Sequence, residues 1–384
     1  IEGARVYLTI LTIRAIQEYL FVSSFLGEHS ARLLELELLA DSMEHALGDR
    51  LWDSQAGYLM NFNGGVPDPH YFMGSLLASP FGLLDGARRD TLAMTAAREL
   101  VDPRIGLRNA MPVDFHTPEM KQFYRFAGDE AGQPFYYMNG GVWSHGNAWY
   151  VLALLAAGRG GEAIDVLKTT MTLDGITNSP NGQPALYEYR FTDPSSPRYG
   201  MVDKPSFLWA GGFYLYTIYQ LFGMYENPWN IACTAGAVGH NARGYTLAYG
   251  NAKQVEFEGK GASVAALGID GSVIPSVIIP LSAAGASHIT VKRSDARTLF
   301  LRDINAIVHD VAWEEDSKTL VADVSSFPGH RTEASVSTPI PVARVTVDGR
   351  NINTYRTVRV GPGHLVSIRF TGSDAPQRLR VQFQ

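Results

Sequence analysis

The hydrophobic pattern changes period part-way along this 384-residue chain, so no single uniform architecture can accommodate it. Residues 4–26 and 31–48 repeat apolar side chains at three- and four-residue spacing, the signature of a helix with one buried face. The same spacing predicts helices over 70–84, 87–100, 145–157, 160–171 and 205–222. From about residue 240 the pattern becomes short β-branched runs: TLAYG, KQVEFEG, SVIPSVIIP, HITVKR, ARVTVDG and LVSIRF. Gly, Pro and Asp-Gly punctuate them, which predicts antiparallel strands joined by tight turns in a sandwich or barrel-like domain. Aromatic residues divide in the same way, with 33 of 42 in residues 1–230. The expected organisation is a helical portion, 1–230, followed by a β-rich domain, 231–384, with residues 224–240 as a linker.

Composition removes several classes of function. A net charge of −6 without a dense Lys/Arg stripe argues against a nucleic-acid partner. The single cysteine, Cys233, excludes an intrachain disulfide and a cysteine-rich zinc site but leaves the compartment open. No GxGxxG follows a strand, and no P-loop, HExxH or EF-hand loop occurs, so no cofactor or metal is expected. No run approaches roughly 18 consecutive apolar residues, so no membrane span is expected. Arg14, Gln17 and Glu18 interrupt the apolar stretch 6–26. It also lacks a basic leader and a small-residue cleavage site, and so reads as a buried helix already under way at residue 1.

Chemistry is expected in the long loops between the helices, 52–69, 102–142 and 172–203. Three stretches set polar residues among aromatics: GQPFYYMNGGVWSHGNAW, NSPNGQPALYEYR and DKPSFLWAGGFY. A sugar presents apolar CH faces and many hydroxyls, so its pocket needs flat rings beside carboxylates, amides and histidine. Each aromatic alone reads equally as core filler. Glu188, between Tyr187 and Tyr189, is the carboxylate that stands out. Its competing reading is an ion pair with Arg190 or Lys204. Asp114 and the neighbours Asp129 and Glu130 are the other loop carboxylates. Adjacent like charges can raise one of them for acid work, or both can be plain solvated groups. His70 and His116 are weaker candidates for the same rim.

The stretch NGGVWSHGNAWYVLALLAAGRGGEA, residues 139–163, resembles inverting (α/α)6-barrel glycosidases and phosphorylases. It is most similar to the cellobiose-phosphorylase-like family, with kinship to glucoamylase-like enzymes. The resemblance continues through YEYRFTDPSSPRYG, FLWAGG, the helix at 6–26 and GYTLAYGN, and covers most of residues 1–290. It implies an (α/α)6 toroid, of which this chain holds the C-terminal portion, followed by a sandwich-like all-β domain.

The resemblance also implies roles. In those phosphorylases the histidine matching His145 contacts phosphate, and so does a Thr-Gly pair that here reads Ala210-Gly211. The missing hydroxyl favours water as nucleophile. The glucoamylase-like general base sits where Glu188 falls. Trp143, Tyr187 and Trp209 would then be stacking walls, and Asn139, His145, Arg190 and Lys204 polar contacts to an oligosaccharide. The family's acid, an aspartate in an Asp-Trp-Asn-Asp-like loop, has no counterpart here. About seven helical segments fall short of six helix pairs, so the resemblance implies an N-terminal partner segment that completes the barrel and carries the acid. Asp114 or Glu130 as acid is the alternative. Rival functions are a glycoside phosphorylase, a polysaccharide lyase or sugar epimerase, and a non-catalytic carbohydrate-binding subunit.

Overall fold

A computed structural model describes residues 4–28, 30–63, 68, 70–121, 132–236, 244–249, 251–261, 263–294, 298–360 and 363–384. The chain divides into two compact units. One comprises Ile1–Ile13 and Asp41–Leu221, the other Arg14–Ala40 and Phe222–Gln384. The division therefore falls at 221/222 rather than 230, and residues 14–40 group with the β-rich part.

The main helices are α1 (Val6–Phe25), α2 (Ala31–Ala46), α3 (Gly86–Glu99), α4 (Ser144–Ala156), α5 (Gly160–Thr170), α6 (Leu173–Asn178) and α7 (Gly211–Leu221). Helix α1 is long and apolar enough by composition to cross a membrane, a property that counting consecutive apolar residues passes over. Its buried residues, Val6, Ile10, Ile13, Ile16 and Leu20, form one stripe at three- and four-residue spacing. Arg14 and Glu18 pair at 2.5 Å elsewhere on its surface. One buried stripe beside an ion pair is the pattern of a core helix.

Helix α4 is the centre of its unit, with every residue from Ser144 to Leu154 buried. Its neighbours approach closely enough to dictate sequence. A Cβ on Gly146 would stand 2.7 Å from the Met73 sulfur, so any larger residue there would have to displace Met73 from its buried seat. That sulfur belongs to a 3-10 helix, Met73–Ala78, which replaces most of the α-helix expected over 70–84. All six of its residues are buried, so the run has no solvent face and helical spacing could not identify it. The preceding pair Tyr71–Phe72 is extended and bonds to Ala110–Met111. The helix expected over 205–222 is also shorter, beginning at Gly211 after an extended stretch that ends at Pro205.

Among the described residues the β-rich unit contains three large sheets. In chain order its strands are β4 (Gly244–Tyr249), β5 (Asn251–Gly259), β6 (Ser263–Ile269), β7 (Ser272–Ile274) and β8 (His288–Ser294). Then follow β9 (Phe300–Ile304), β10 (Ile307–Glu314), β11 (Thr319–Ser325), β12 (Arg331–Thr338) and β13 (Val342–Val347). The last four are β14 (Arg350–Asn351), β15 (Tyr355–Val360), β16 (Gly363–Thr371) and β17 (Gln377–Phe383). The sheets run β4-β5-β8-β6-β7, β9-β12-β16-β15 and β10-β11-β17-β13-β14.

Two Asp-Gly turns behave as expected: Asp270-Gly271 joins β6 to β7 and Asp348-Gly349 joins β13 to β14, all four residues at positive φ. Alternation is clear in β16, where Val366, Ile368 and Phe370 are buried, and in β17 with Leu379, Val381 and Phe383. The expectation of purely antiparallel pairing fails where β5 and β8 run parallel. The expected linker is also part of this fold. Met224–Glu226 pairs with Ile231–Cys233, and Ala232 and Cys233 lie in the β core. Residues 237–240 lie outside the described residues.

Candidate active site

The helical unit gathers its polar side chains on a three-stranded sheet, β1 (Val142–Trp143), β2 (Tyr187–Arg190) and β3 (Val202–Pro205), with β2 in the middle. Strand alternation separates the residues of YEYR. Tyr187 and Tyr189 share one face and are fully buried, while Glu188 points the other way and is 13% exposed. Glu188 Oε2 lies 3.1 Å from Lys204 Nζ, so the ion-pair partner is Lys204 and not Arg190. Glu188 Oε1 makes no hydrogen bond among the described residues. The half-exposed Lys204 ammonium also stands over the rings of Tyr189, at 5.3 Å, and Tyr137, at 5.9 Å.

An aromatic wall adjoins this pair. The Tyr137 and Trp143 rings are 4.8 Å apart, and the Trp143 indole N–H donates to the Tyr137 carbonyl. The His145 ring, one residue into α4, lies 3.8 Å from that of Trp209 and 4.5 Å from that of Trp149. Burial among these rings pushes His145 down to about 3, so it is a neutral imidazole across the physiological range. Its Nδ1 is buried without a hydrogen-bond partner among the described residues. Trp209 is 49% exposed and offers a ring face to solvent.

Backbone strain concentrates on the same place. Eight described residues other than glycine have positive φ, and four of them are Phe135, Tyr137, Lys204 and Ser206. Each such residue stores on the order of 1–3 kcal/mol, and such strain gathers at sites where geometry is functional. Between these loops Tyr136 donates its hydroxyl proton to Asp203 and lies 3.0 Å from the Tyr189 hydroxyl. Burial and the Asp203 carboxylate hold the Tyr136 phenol well above its ordinary range.

Three expected sugar contacts are structural instead. Asn139 is fully buried, its oxygen accepting from Phe115 N–H and its amide donating to the Gly132 carbonyl. Arg190 is fully buried and donates from Nε and Nη2 to Gly200 O, Ser179 Oγ and Pro180 O. Tyr187 cannot form a stacking wall, because its ring is inside and its hydroxyl accepts from Asn147. Trp143 is 8% exposed and contributes an edge at most. Glu130 and its neighbour Asp129 lie outside the described residues.

A second polar group sits on the far side of the Asn-Gly-Gly turn. His70 Nδ1 lies 2.5 Å from Asp68 Oδ1, and His70 Nε2 lies 2.6 Å from Asp114 Oδ1. Asp68 also accepts from Asn61 Nδ2 and from the His70 N–H. Burial opposes charge on this imidazole, but the two carboxylates outweigh it and raise His70. Both ring nitrogens thus face a carboxylate oxygen, and Asp114 is oriented through Oδ1. Asp68 was missed in the sequence, where Asp-Pro-His reads as an ordinary turn; only the two-residue spacing of carboxylate and imidazole hints at it.

No known family's sequence profile matches the chain, and no curated protein sequence is similar to it. Solved structures offer a loose likeness. The GH63 mannosylglycerate hydrolase from Thermus thermophilus, in complex with Tris and D-glycerate, shares 20% identity over 55% of this chain and 45% of that chain, with a TM-score of 0.39. A structure described as a glycosidase variant shares 18% identity over 56% of this chain and 51% of that chain, also at 0.39. The chain thus matches about half the length of each. A likeness this loose fixes neither fold nor activity.

Proposed function

We propose that the helical unit is a catalytic portion of an inverting glycoside hydrolase acting on a glucoside-type oligosaccharide, with Glu188 as general base. The observation that carries this reading is the setting of Glu188. It is a nearly buried carboxylate, oriented through one oxygen by Lys204, with its other oxygen unused among the described residues. It stands in a strained loop system, and its partner Lys204 also lies over the rings of Tyr189 and Tyr137.

In this reading Trp209 stacks on a sugar face, with the buried, neutral His145 ring packed behind it. Lys204 holds the Glu188 carboxylate so that Oε1 can take a proton from an attacking water. Inversion requires that water to lie between the base and an acid roughly 6.5–9.5 Å away, on the opposite face of the sugar. Water is favoured over phosphate for two reasons. An imidazole pushed down to about 3 brings no positive charge to an anion. Ala210 offers no hydroxyl in front of α7.

The test uses α- and β-glucosyl fluoride, whose leaving group needs no protonation, alongside cellobiose and maltose, each with and without phosphate. Fluoride hydrolysis with release of the opposite anomer, observed by NMR, is the expected result. A retained anomer would refute the inverting mechanism. A sugar 1-phosphate product would establish the phosphorylase instead.

A further inference from the structure

The group Asp68–His70–Asp114 has no part in water activation at Glu188, yet its geometry is that of a built acceptor. Its inner members are nearly inaccessible, His70 at 2% and Asp68 at 6%, while the Asp114 side chain is 39% exposed. A buried imidazole is thus fixed by one carboxylate and used to aim another. The Phe115 ring packs against His70 at 4.6 Å, and Asn139 holds the Phe115 N–H, so the imidazole is restrained from its flank as well. Asp114 commits Oδ1 to His70, and its Oδ2 makes no hydrogen bond among the described residues.

Stability alone does not account for this arrangement. Taking charged groups out of water costs several kcal/mol per ion, and apolar side chains of similar volume serve a core as well or better. The arrangement does, however, fix the direction of one carboxylate oxygen at the surface.

Its loop is tied to the Glu188 strand through one turn. The Asn-Gly-Gly turn lies between the two: Gly140, at φ +91°, has the Val113 side chain packed where a Cβ would stand. The Gly141 carbonyl accepts from Asn109 N–H, and the next two residues, Val142 and Trp143, pair with Arg190 and Tyr189 beside Glu188. One short turn therefore holds the Asp114 loop on one side and the Glu188 strand on the other.

We infer that Asp114 is a sugar-recognition residue, its free oxygen accepting from a hydroxyl of the bound glycoside, and that His70 and Asp68 are positioning residues for it. This rests on the glycosidase reading of the same site and specifies which carboxylate reads the sugar rather than activates water. The ligand chemistry follows from the charge. The imidazolium already faces the carboxylate, so what remains on Oδ2 is a directional acceptor for a neutral donor, as a sugar hydroxyl is.

The experiment measures binding of methyl glucosides and their monodeoxy analogues by titration calorimetry, with wild-type protein, Asp114→Asn, His70→Gln and the double variant. Wild-type protein should lose roughly 10- to 100-fold in affinity for the one analogue that lacks the recognised hydroxyl. Asp114→Asn should lose a comparable factor for the parent glucoside and little more for that analogue. His70→Gln should weaken the parent glucoside without weakening the same deoxy analogue, and the double variant should bind no worse than Asp114→Asn. A merely structural His70 would affect every ligand equally. Binding of all ligands by Asp114→Asn at wild-type affinity would overturn the inference and leave the glycosidase reading standing. Failure of wild-type protein to bind any glucoside would overturn both.

Discussion

Replacing His70 with leucine, closer in volume to the imidazole than phenylalanine, removes the charged partner of the buried Asp68. In the wild-type protein Asp68 accepts from His70 Nδ1 at 2.5 Å, from Asn61 Nδ2 at 2.8 Å and from the backbone N–H of residue 70 at 3.1 Å. The variant keeps the second and third donors and loses the cation, leaving a carboxylate that is 6% exposed without its counter-charge. Removing one partner of a buried pair costs about 3–5 kcal/mol, and the two remaining donors place this case at the lower end, near 3 kcal/mol. The half-exposed Asp114 adds little, because solvent screens it. For a protein unit of this size a loss of about 3 kcal/mol lowers Tm by about 6–12 °C.

The pH dependence follows from the signs of the two shifts. His70 is raised above its ordinary 6.5, so its contribution is complete below that value and fades as pH rises through the raised value. Asp68 is lowered below its ordinary 3.8, so its contribution is complete above that value and fades as pH falls through the lowered one. The difference between wild type and variant should therefore be largest between about pH 4 and 6.5 and shrink on either side. Adding Asp68→Asn removes the stranded charge and should recover at least half of the loss. Urea denaturation from about pH 3 to about pH 9 measures all of this. A loss under about 1 kcal/mol, a loss independent of pH, or a double variant as damaged as the sum of the singles would refute the reasoning.

Three further outcomes are expected. Asn147→Leu strands the buried Leu107 N–H and removes one donor from the Tyr187 hydroxyl, which should cost about 1–3 kcal/mol in denaturant melts and speed amide exchange at Leu107. Lys253→Met keeps the buried stem but leaves the carbonyls of Ala284 and Ala286 without the ammonium they bind, and should destabilise the β-rich unit by about 1–3 kcal/mol. Trp209→Ala removes a half-exposed ring that also covers His145, so it should lower glucoside affinity by about tenfold and cost a few kcal/mol of stability at most, leaving the unit folded.

The sequence made some of this legible for definite reasons. Amphipathic spacing located α1, α2, α3 and α5 because each has a wet face and a dry one. Asp-Gly located two hairpins because a turn with two successive positive φ values selects those residues. Periodicity failed at Met73–Ala78, which is dry all round, and at residues 207–209, where apolar side chains face solvent instead of continuing a helix.

At the site, the aromatic loops and Glu188 stood out by composition. Composition could not tell which way a side chain points. Strand alternation buried Tyr187 and turned Glu188 outward, and cross-linking of loops absorbed Asn139 and Arg190. In the Asp68–His70–Asp114 group the imidazole meets a carboxylate 44 positions further along the chain, a relation that only folding creates.

The central claim is that Glu188 removes a proton from water. The most direct measurement is the turnover of glucosyl fluoride by Glu188→Gln, with glucoside affinity determined on the same preparation. A positioned general base contributes about 10²–10⁴-fold, so turnover should fall by that factor while affinity stays within a few-fold of wild type. Turnover within about threefold of wild type would contradict the account, because the carboxylate paired with Lys204 would then be an ion pair and nothing more.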